Sequence, residues 1–329
     1  MNRLPFLLSL LPVSLLFLVD LSAAQDRTAG KTIGVLFWHE SPNDVAALAG
    51  IKEGLKATGR PFRLIERHAG SDRKKAESQL RAFEEARVDL VLALGTEATR
   101  IAARTLKRTP LVFTAVTDPV SSGIVPSWKG SGSFLAGNSN HIDSCRVVTD
   151  FKQTLPGLTS LGVLHTENNR VSAAEIRSMK RALVKRASLG IRLEVRTLKA
   201  GEDIEAAADK LLNTVDALWI PIDFGVYSRI EKVAAAARRH RIPLVTTTKK
   251  AMPHALISVL PDYHTLGMLA VEIVDRILRR TIEPGAIPIG AMQGRILVLN
   301  LEAARSIRLQ VPIQALASAD RILSEKKQP

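Results

Sequence analysis

The sequence predicts an α/β protein made of two Rossmann-like lobes joined by a multi-strand hinge. Three observations carry that expectation. Short apolar runs alternate with amphipathic stretches from residue 31 onward. The rhythm lapses once, over the Gly/Ser-rich residues 127–140, and then restarts. After the second set of units too few elements remain for a third lobe. Alternation of strands with crossover helices is the pattern of a parallel sheet covered on both faces.

The first set begins with an apolar strand at 33–37 and a helix with Leu48, Ile51 and Leu55 on one face. A strand at 62–65 follows, then a helix carrying Ala76, Leu80 and Phe83, a strand at 90–94, a helix at 97–106 and a strand at 111–116. Pro61 and Pro110 mark helix exits, because proline cannot continue a helix. The second set reads as strands at 161–164, 191–195, 217–222 and 244–246, with helices at 171–188, 203–212 and 227–239 between them. One strand at 255–259, a helix at 263–280 with Asp262 as its cap, and a strand at 296–299 complete the chain. The economical assignment gives residues 25–140 and 249–283 to the first lobe and residues 141–248 and 284–329 to the second. Several crossings between lobes make a hinge, with a cleft where strand ends face one another.

Residues 1–24 read as a cleaved export signal. Arg3 supplies the positive start, residues 4–19 the apolar run, and Ser22, Ala23 and Ala24 the small residues before the cut. A spanning helix needs about 18 apolar residues, and Pro5 and Pro12 interrupt this shorter run, so a membrane anchor is disfavoured. The expectation is a soluble periplasmic monomer starting near Gln25. With Cys145 the sole cysteine, no intrachain disulfide can form, and packing must supply the stability. The net charge of +14 raises nucleic acid as a partner. Export argues against it, and so does the pattern: Arg177, Lys180, Arg181, Lys185 and Arg186 share a helix whose Ile176, Met179 and Leu183 face inward, leaving a solvated basic face.

Open α/β sheets bind ligands at the carboxyl ends of their strands. Those ends hold residues 38–41, 95–97 and 117–119 in the first lobe and residues 165–169, 223–225 and 247–249 in the second. The candidate ligand contacts among them are Trp38, Glu40, Thr96, Asp118, Thr166, Asp223 and Phe224. Hydroxyls and backbone amides at helix starts take a carboxylate and an aspartate takes an ammonium, so the set suits a small polar or zwitterionic solute. Asp118 before Pro119 also reads as a turn former, and Thr96 as a helix cap. His39 and His165 lack the paired spacing of a metal site. The chain has no Gly-x-Ser-x-Gly elbow, no phosphate-binding Gly-x-x-x-x-Gly-Lys-Ser/Thr and no Gly-x-Gly-x-x-Gly, so neither enzymatic activity nor a cofactor is expected.

An ordered set of segments carries a family resemblance across residues 33–312. It includes Asp89-Leu90-Val91 with Gly95-Thr96, Thr117-Asp118-Pro119-Val120 followed by Gly123-Ile124-Val125, Asp216-Ala217 leading to Asp223, Ile242-Pro243, Asp262-Tyr263 and Ile287-Pro288. The chain resembles the ABC-transporter substrate-binding proteins of the tryptophan/tyrosine type, which have the type I periplasmic binding protein fold. The resemblance implies an amino-acid-like ligand, held by hinge closure for an ABC permease. The alternative is a periplasmic sensor whose closed form is read by a membrane receptor kinase. It also implies ligand contact by Thr96, Asp118 and Asp223, with Trp38, Glu40 and Phe224 as walls. The chain departs from the family pattern at Phe134 and Ala136, where Asn and Thr are usual, and at His254, where Gly is usual.

Overall fold

Buried parallel strands are covered on both faces and therefore read as unbroken apolar runs, and these runs lay down the first sheet. In this computed structural model, which describes residues 30–292 and 294–324, the first lobe opens with β1 (Lys31–Phe37), α1 (Pro42–Ala57), β2 (Phe62–His68), α2 (Arg73–Glu85), β3 (Leu90–Leu94), α3 (Thr96–Thr105), β4 (Leu111–Val116) and β5 (Leu135–Ile142). The expected signal at residues 1–24 lies outside the described residues. After β5 come α4 (Ser144–Thr154), β6 (Ser160–Thr166), α5 (Arg170–Lys185), β7 (Arg192–Leu198), α6 (Ile204–Leu212), β8 (Ala217–Ile220), α7 (Phe224–Tyr227), α8 (Ile230–His240), β9 (Leu244–Thr246) and β10 (Ile257–Leu260). The chain ends with α9 (Tyr263–Leu278), β11 (Gly290–Met292), β12 (Ile296–Asn300), α10 (Leu301–Ser306), α11 (Ile313–Ser318) and β13 (Arg321–Leu323). Side chains of Ser41, Asp72, Asn169, Asp203, Asp262 and Asn300 accept the first free N–H groups of their helices.

The first sheet has the order β11-β5-β4-β3-β1-β2, with parallel pairing throughout. The second has the order β13-β12-β10-β9-β8-β6-β7 and is parallel except at β10–β12. In the first lobe α1 and α9 cover one face, with Ile51, Leu55 and Val274 in the core, while α2 and α3 cover the other through Leu80, Phe83 and Ile101. In the second lobe α4 and α5 bury Phe151, Ile176 and Met179 on one face, and α6 and α8 bury Leu212 and Val233 on the other. Each lobe is thus a sheet between two helical layers, as the alternation predicts.

The chain crosses between lobes three times, at 142–144, 260–263 and 292–296. The sequence pattern places the crossings at 140–141, 248–249 and 283–284, and in the structure all three come later. The sequence pattern assigns residues 249–260 to the first lobe, yet β10 pairs with β9 and β12 in the second sheet. The pattern assigns residues 284–292 to the second lobe, yet β11 pairs with β5 in the first. A three-residue edge strand, Gly-Ala-Met, offers no apolar run from which to read its partner.

Strand β5 and helix α4 also went unread, and β5 has a clear physical reason. It is polar inside: Asn138, Ser139 and Asn140 are all buried. Asn138 Nδ2 donates to the Leu266 carbonyl at 2.9 Å, Ser139 Oγ to the Thr117 carbonyl at 2.8 Å, and Asn140 Nδ2 to the Tyr263 hydroxyl at 2.9 Å. Buried polar groups persist where they find such partners, and a strand built that way reads as loop in a hydropathy pattern.

Candidate functional site

The carboxyl ends of β1, β4 and β5 face those of β8 and β9 across a cavity of about 920 Å³, lined from both lobes. On the first-lobe side stand Ser41 at the start of α1, Thr117 after β4, and His141 at the end of β5. The crossings contribute Asn140 and Tyr263, already joined by their hydrogen bond. On the second-lobe side stand Met179 and Glu175 of α5, Trp219 and Ile222 at the exit of β8, and Thr247 after β9.

Local sequence explains these placements. Ser41 caps α1 by accepting the Asp44 N–H at 3.2 Å while donating to the Asp44 carboxylate at 2.6 Å. Asp262 does the same for α9 with the His264 and Thr265 N–H groups, which aims Tyr263 at Asn140. Burial raises the pKa of the Tyr263 phenol, so it stays protonated as a neutral partner. Burial lowers the pKa of His141, opposed by the charges of Asp118 and Asp143, which favours a neutral ring.

Beneath the second-lobe wall lies a polar network. Asp223 is completely buried and accepts from Thr166 N–H at 2.8 Å, the Thr166 hydroxyl at 2.8 Å and the Ser172 hydroxyl at 2.9 Å. It ties the loops after β6 and β8 to the start of α5. Nearer the cavity, Glu175 accepts the Ile222 N–H at 2.7 Å and interacts by hydrogen bonding with the Thr247 hydroxyl, which in turn receives Trp219 Nε1–H at 3.2 Å. Burial pushes the Glu175 carboxyl up to about 7, against the pull of those two donors and with a smaller push from the Asp223 charge.

The residues singled out from sequence have varied places. Thr166 and Asp223 come together, but Asp223 turns into its own lobe and offers no surface to a ligand in this conformation. Asp118 accepts the Ser121 N–H at 2.9 Å, as a turn former does, while its charge reaches His141 on the cavity wall. Thr96 is the first residue of α3, whose cap is Gly95 with φ of 84°, and it lies outside the cavity lining. Trp38 packs on the first-lobe core and Glu40 is exposed, both also outside that lining. Phe224 is 70% exposed and meets Tyr227 edge to face at 5.7 Å. Of the loops that follow strands, those holding His39, Ser41, Thr117, Thr247 and Lys249 line the cavity. Glu175 and Asn140 escaped the strand-end rule because neither follows a strand in the sequence pattern, and Tyr263 because it reads as the first residue of a helix.

The described residues contain no group of three or more His, Cys, Asp or Glu able to hold a metal ion, and no helix long and apolar enough to cross a membrane. Residues 32–323 match the model of the ABC transporter substrate binding protein family. The chain belongs to that family. A family relative from Clostridioides difficile strain R20291, a tyrosine-binding protein, is 22% identical over 290 residues, spanning 87% of this chain and 83% of that one. Among solved structures, a ligand-free, open substrate binding protein with adhesive properties from Clostridium difficile superposes with a TM-score of 0.80 at 20% identity, covering 90% of this chain and all of that one. A Streptococcus pneumoniae domain in complex with L-Trp gives 0.66 at 22% identity, covering 90% and 100%. The fold is that of the type I periplasmic binding proteins.

Proposed function

We propose that this protein captures an amino acid with an aromatic side chain in the interlobe cleft, in the periplasm, and presents it to the membrane permease of an ABC importer. The observation that carries the reading is the cavity itself. Opposed strand ends line it from both lobes and three chain crossings join those lobes, so hinge motion can enclose a ligand there. Its volume lies within the usual range for small-molecule sites, and its walls mix apolar surface with a few oriented polar groups. Trp219, Met179 and Ile222 give the second-lobe wall an apolar face for a ring. Ser41 at the start of α1, Thr117 and the Asn140 amide give the first-lobe wall its polar groups. Family relatives that bind tyrosine and tryptophan favour the same ligand class. The reading asks no covalent chemistry of the cleft.

Differential scanning fluorimetry with L-tyrosine, L-tryptophan and the other amino acids tests the reading, with small-angle scattering on each hit. Free ligand at a hundredfold its Kd should stabilise the protein by about 2.7 kcal/mol. The same ligand should reduce the radius of gyration. A stabilising ligand that leaves the radius unchanged contradicts capture by closure, and stabilisation by sugars alone contradicts the amino-acid class.

A further inference from the structure

Asp223, the acid expected on the second-lobe side of the cleft, is consumed inside its lobe, and Glu175 is the second-lobe carboxyl that does line the cavity. We propose that Glu175 is the residue that makes the site specific for a primary ammonium group, accepting it from the second lobe while Asn140 accepts it from the opposite wall. The inference rests on the reading of the cleft as the ligand site and names the group that selects the ligand.

Glu175 is held by neutral donors alone. The Ile222 N–H and the Thr247 hydroxyl orient it, and it has no ion-pair partner among the described residues. A partly buried carboxyl without a cation is unfavourable as an anion, which is why burial holds its proton on to about 7. An incoming ammonium would supply the missing charge and make a charge-assisted hydrogen bond, stronger than either neutral bond already present. Asn140 adds an independent sign. It is 6% exposed, its Nδ2 is engaged by Tyr263, and its Oδ1 has no partner. An acceptor on a cavity-lining residue with no protein donor is open to a ligand N–H.

Binding of the cation to protonated Glu175 balances as carboxylic acid plus ammonium giving carboxylate, ammonium and one released proton. Other ionisable groups lie near. Asp223 stands behind Glu175 with His165 on β6; His39, His141 and His264 line the cavity, with the exposed Lys249 and Lys250. The facing residues of α4, Ser144 and Val147, carry no charge. Since these neighbours can also exchange protons when a ligand binds, proton release must be read as a difference between the wild type and Glu175→Gln, which keeps the shape and removes the carboxyl's own proton.

Isothermal titration at pH 6 in two buffers of different ionisation enthalpy, with L-tyrosine, L-tryptophan and the amine-free 3-(4-hydroxyphenyl)propionate, separates the outcomes. The wild type should release close to one proton per amino acid bound and discriminate strongly against the amine-free acid. Glu175→Gln should lose that proton release and bind the amino acids about ten- to a hundredfold more weakly, while its affinity for the amine-free acid holds. Unchanged amino-acid affinity in Glu175→Gln overturns the inference. So does an equal loss for all three compounds, which marks a structural role; the melting temperature of the unliganded variant checks that it is folded. If neither amino acid binds the wild type, the remaining amino acids, amine-free acids and sugars take their place. A best binder without an amine then overturns the inference and leaves the cleft reading standing, and no binder at all overturns both.

Discussion

Two of the three crossings return the chain to a lobe it has already built, and the two landings are held by different physics. After the second crossing, α9 docks on α1 by backbone shape. A Cβ on Gly50 would stand 1.9 Å from the His264 carbonyl oxygen, and one on Gly267 would stand 2.0 Å from that of Ala47. The two glycines let the helices touch along their main chains. After the third crossing, the chain is caught by charge. Arg295 pairs with both oxygens of Asp150, at 2.9 and 3.2 Å, and reaches Asp320 at 2.8 Å, which also accepts the Leu297 N–H at 2.7 Å. Asp150 is 1% exposed.

The contrast teaches where each lobe is vulnerable. A seam of close-packed backbone admits no added atom, and the ion pairs at its rim, His264 with Glu53 at 3.1 Å and Arg60 with Asp275, do not relieve that constraint. A buried ion pair tolerates small changes of shape, yet losing one partner strands the other without water. The largest expected effect is therefore Asp150→Ala, which should cost about 3–5 kcal/mol in urea unfolding by leaving the largely buried Arg295 with only the exposed Asp320 as its partner. The double change Asp150→Leu with Arg295→Met should recover most of that loss, because it removes the desolvated charges together. A cost under about 1 kcal/mol for Asp150→Ala, the range of an exposed pair, would break the comparison.

The second lobe's dependence on charge extends to the cleft through Glu175. Its native pKa, about 7, lies above the ordinary 4.5, so between those values the native state holds a proton that the unfolded state has released. Stability of the unliganded protein should then fall as pH rises through that window, by on the order of 3 kcal/mol from this group, and level off above it. His141 and His165, whose pKa values burial lowers, act with the opposite sign, since their stabilisation is gained as pH rises. Melting curves of the wild type and Glu175→Gln from pH 4.5 to 8 cancel the histidines in the difference. Parallel curves would show that Glu175 does not carry the proton assigned to it.

How much of this was legible in the sequence follows the same division. Strands such as β3 and β4 are buried on both faces and could be read directly as apolar runs, and the alternation with amphipathic helices gave two lobes. The first and third crossings are hard to place because β5 and β11 carry polar or small residues in place of an apolar run, and the second because the apolar run of β10 does not show which sheet takes it. At the site, position after a strand located the loops but could not tell which way a side chain turns. Asp223 reads as a free acid and is fully enclosed in its network, while Glu175 reads as one more charge on a solvated helix and faces the cleft. The sequence register of α5 puts Glu175 beside Ile176 and one turn before Met179, so only the packing of α5 against the β8 and β9 exits reveals its direction.

The shape-held seam makes its own prediction. Gly50→Ala gains up to about 1 kcal/mol of helix propensity, but the added methyl meets a carbonyl that cannot move without parting α1 from α9. The net cost should be about 1–3 kcal/mol, unchanged between low and high salt. Gly54→Ala, whose Cβ would meet a Val271 side-chain methyl at 3.0 Å, is the control and should cost less because a side chain can shift. Equal costs for the two would deny that backbone contact holds this landing.

The smallest effect is expected at the crossing itself, which neither close packing nor charge secures. Tyr263→Phe deletes the hydroxyl that receives Asn140 Nδ2 at 2.9 Å and leaves the rest of the ring in place. Were this amide sealed in a core, the loss would expose a full desolvation penalty, but Asn140 and Tyr263 both line the cleft, where water can take the vacated position. The expected cost is the net worth of one neutral hydrogen bond, about 0.5–1.5 kcal/mol, measured by urea unfolding. Its consequence for the hinge should be larger than its consequence for stability, because this bond ties the first crossing to the second. Freed of it, the two connections can turn independently, and small-angle scattering of unliganded Tyr263→Phe should show a broader distribution of interlobe distances than the wild type. A variant with wild-type scattering and a loss as large as that of Asp150→Ala would place the bond among the supports of the fold and not in its hinge.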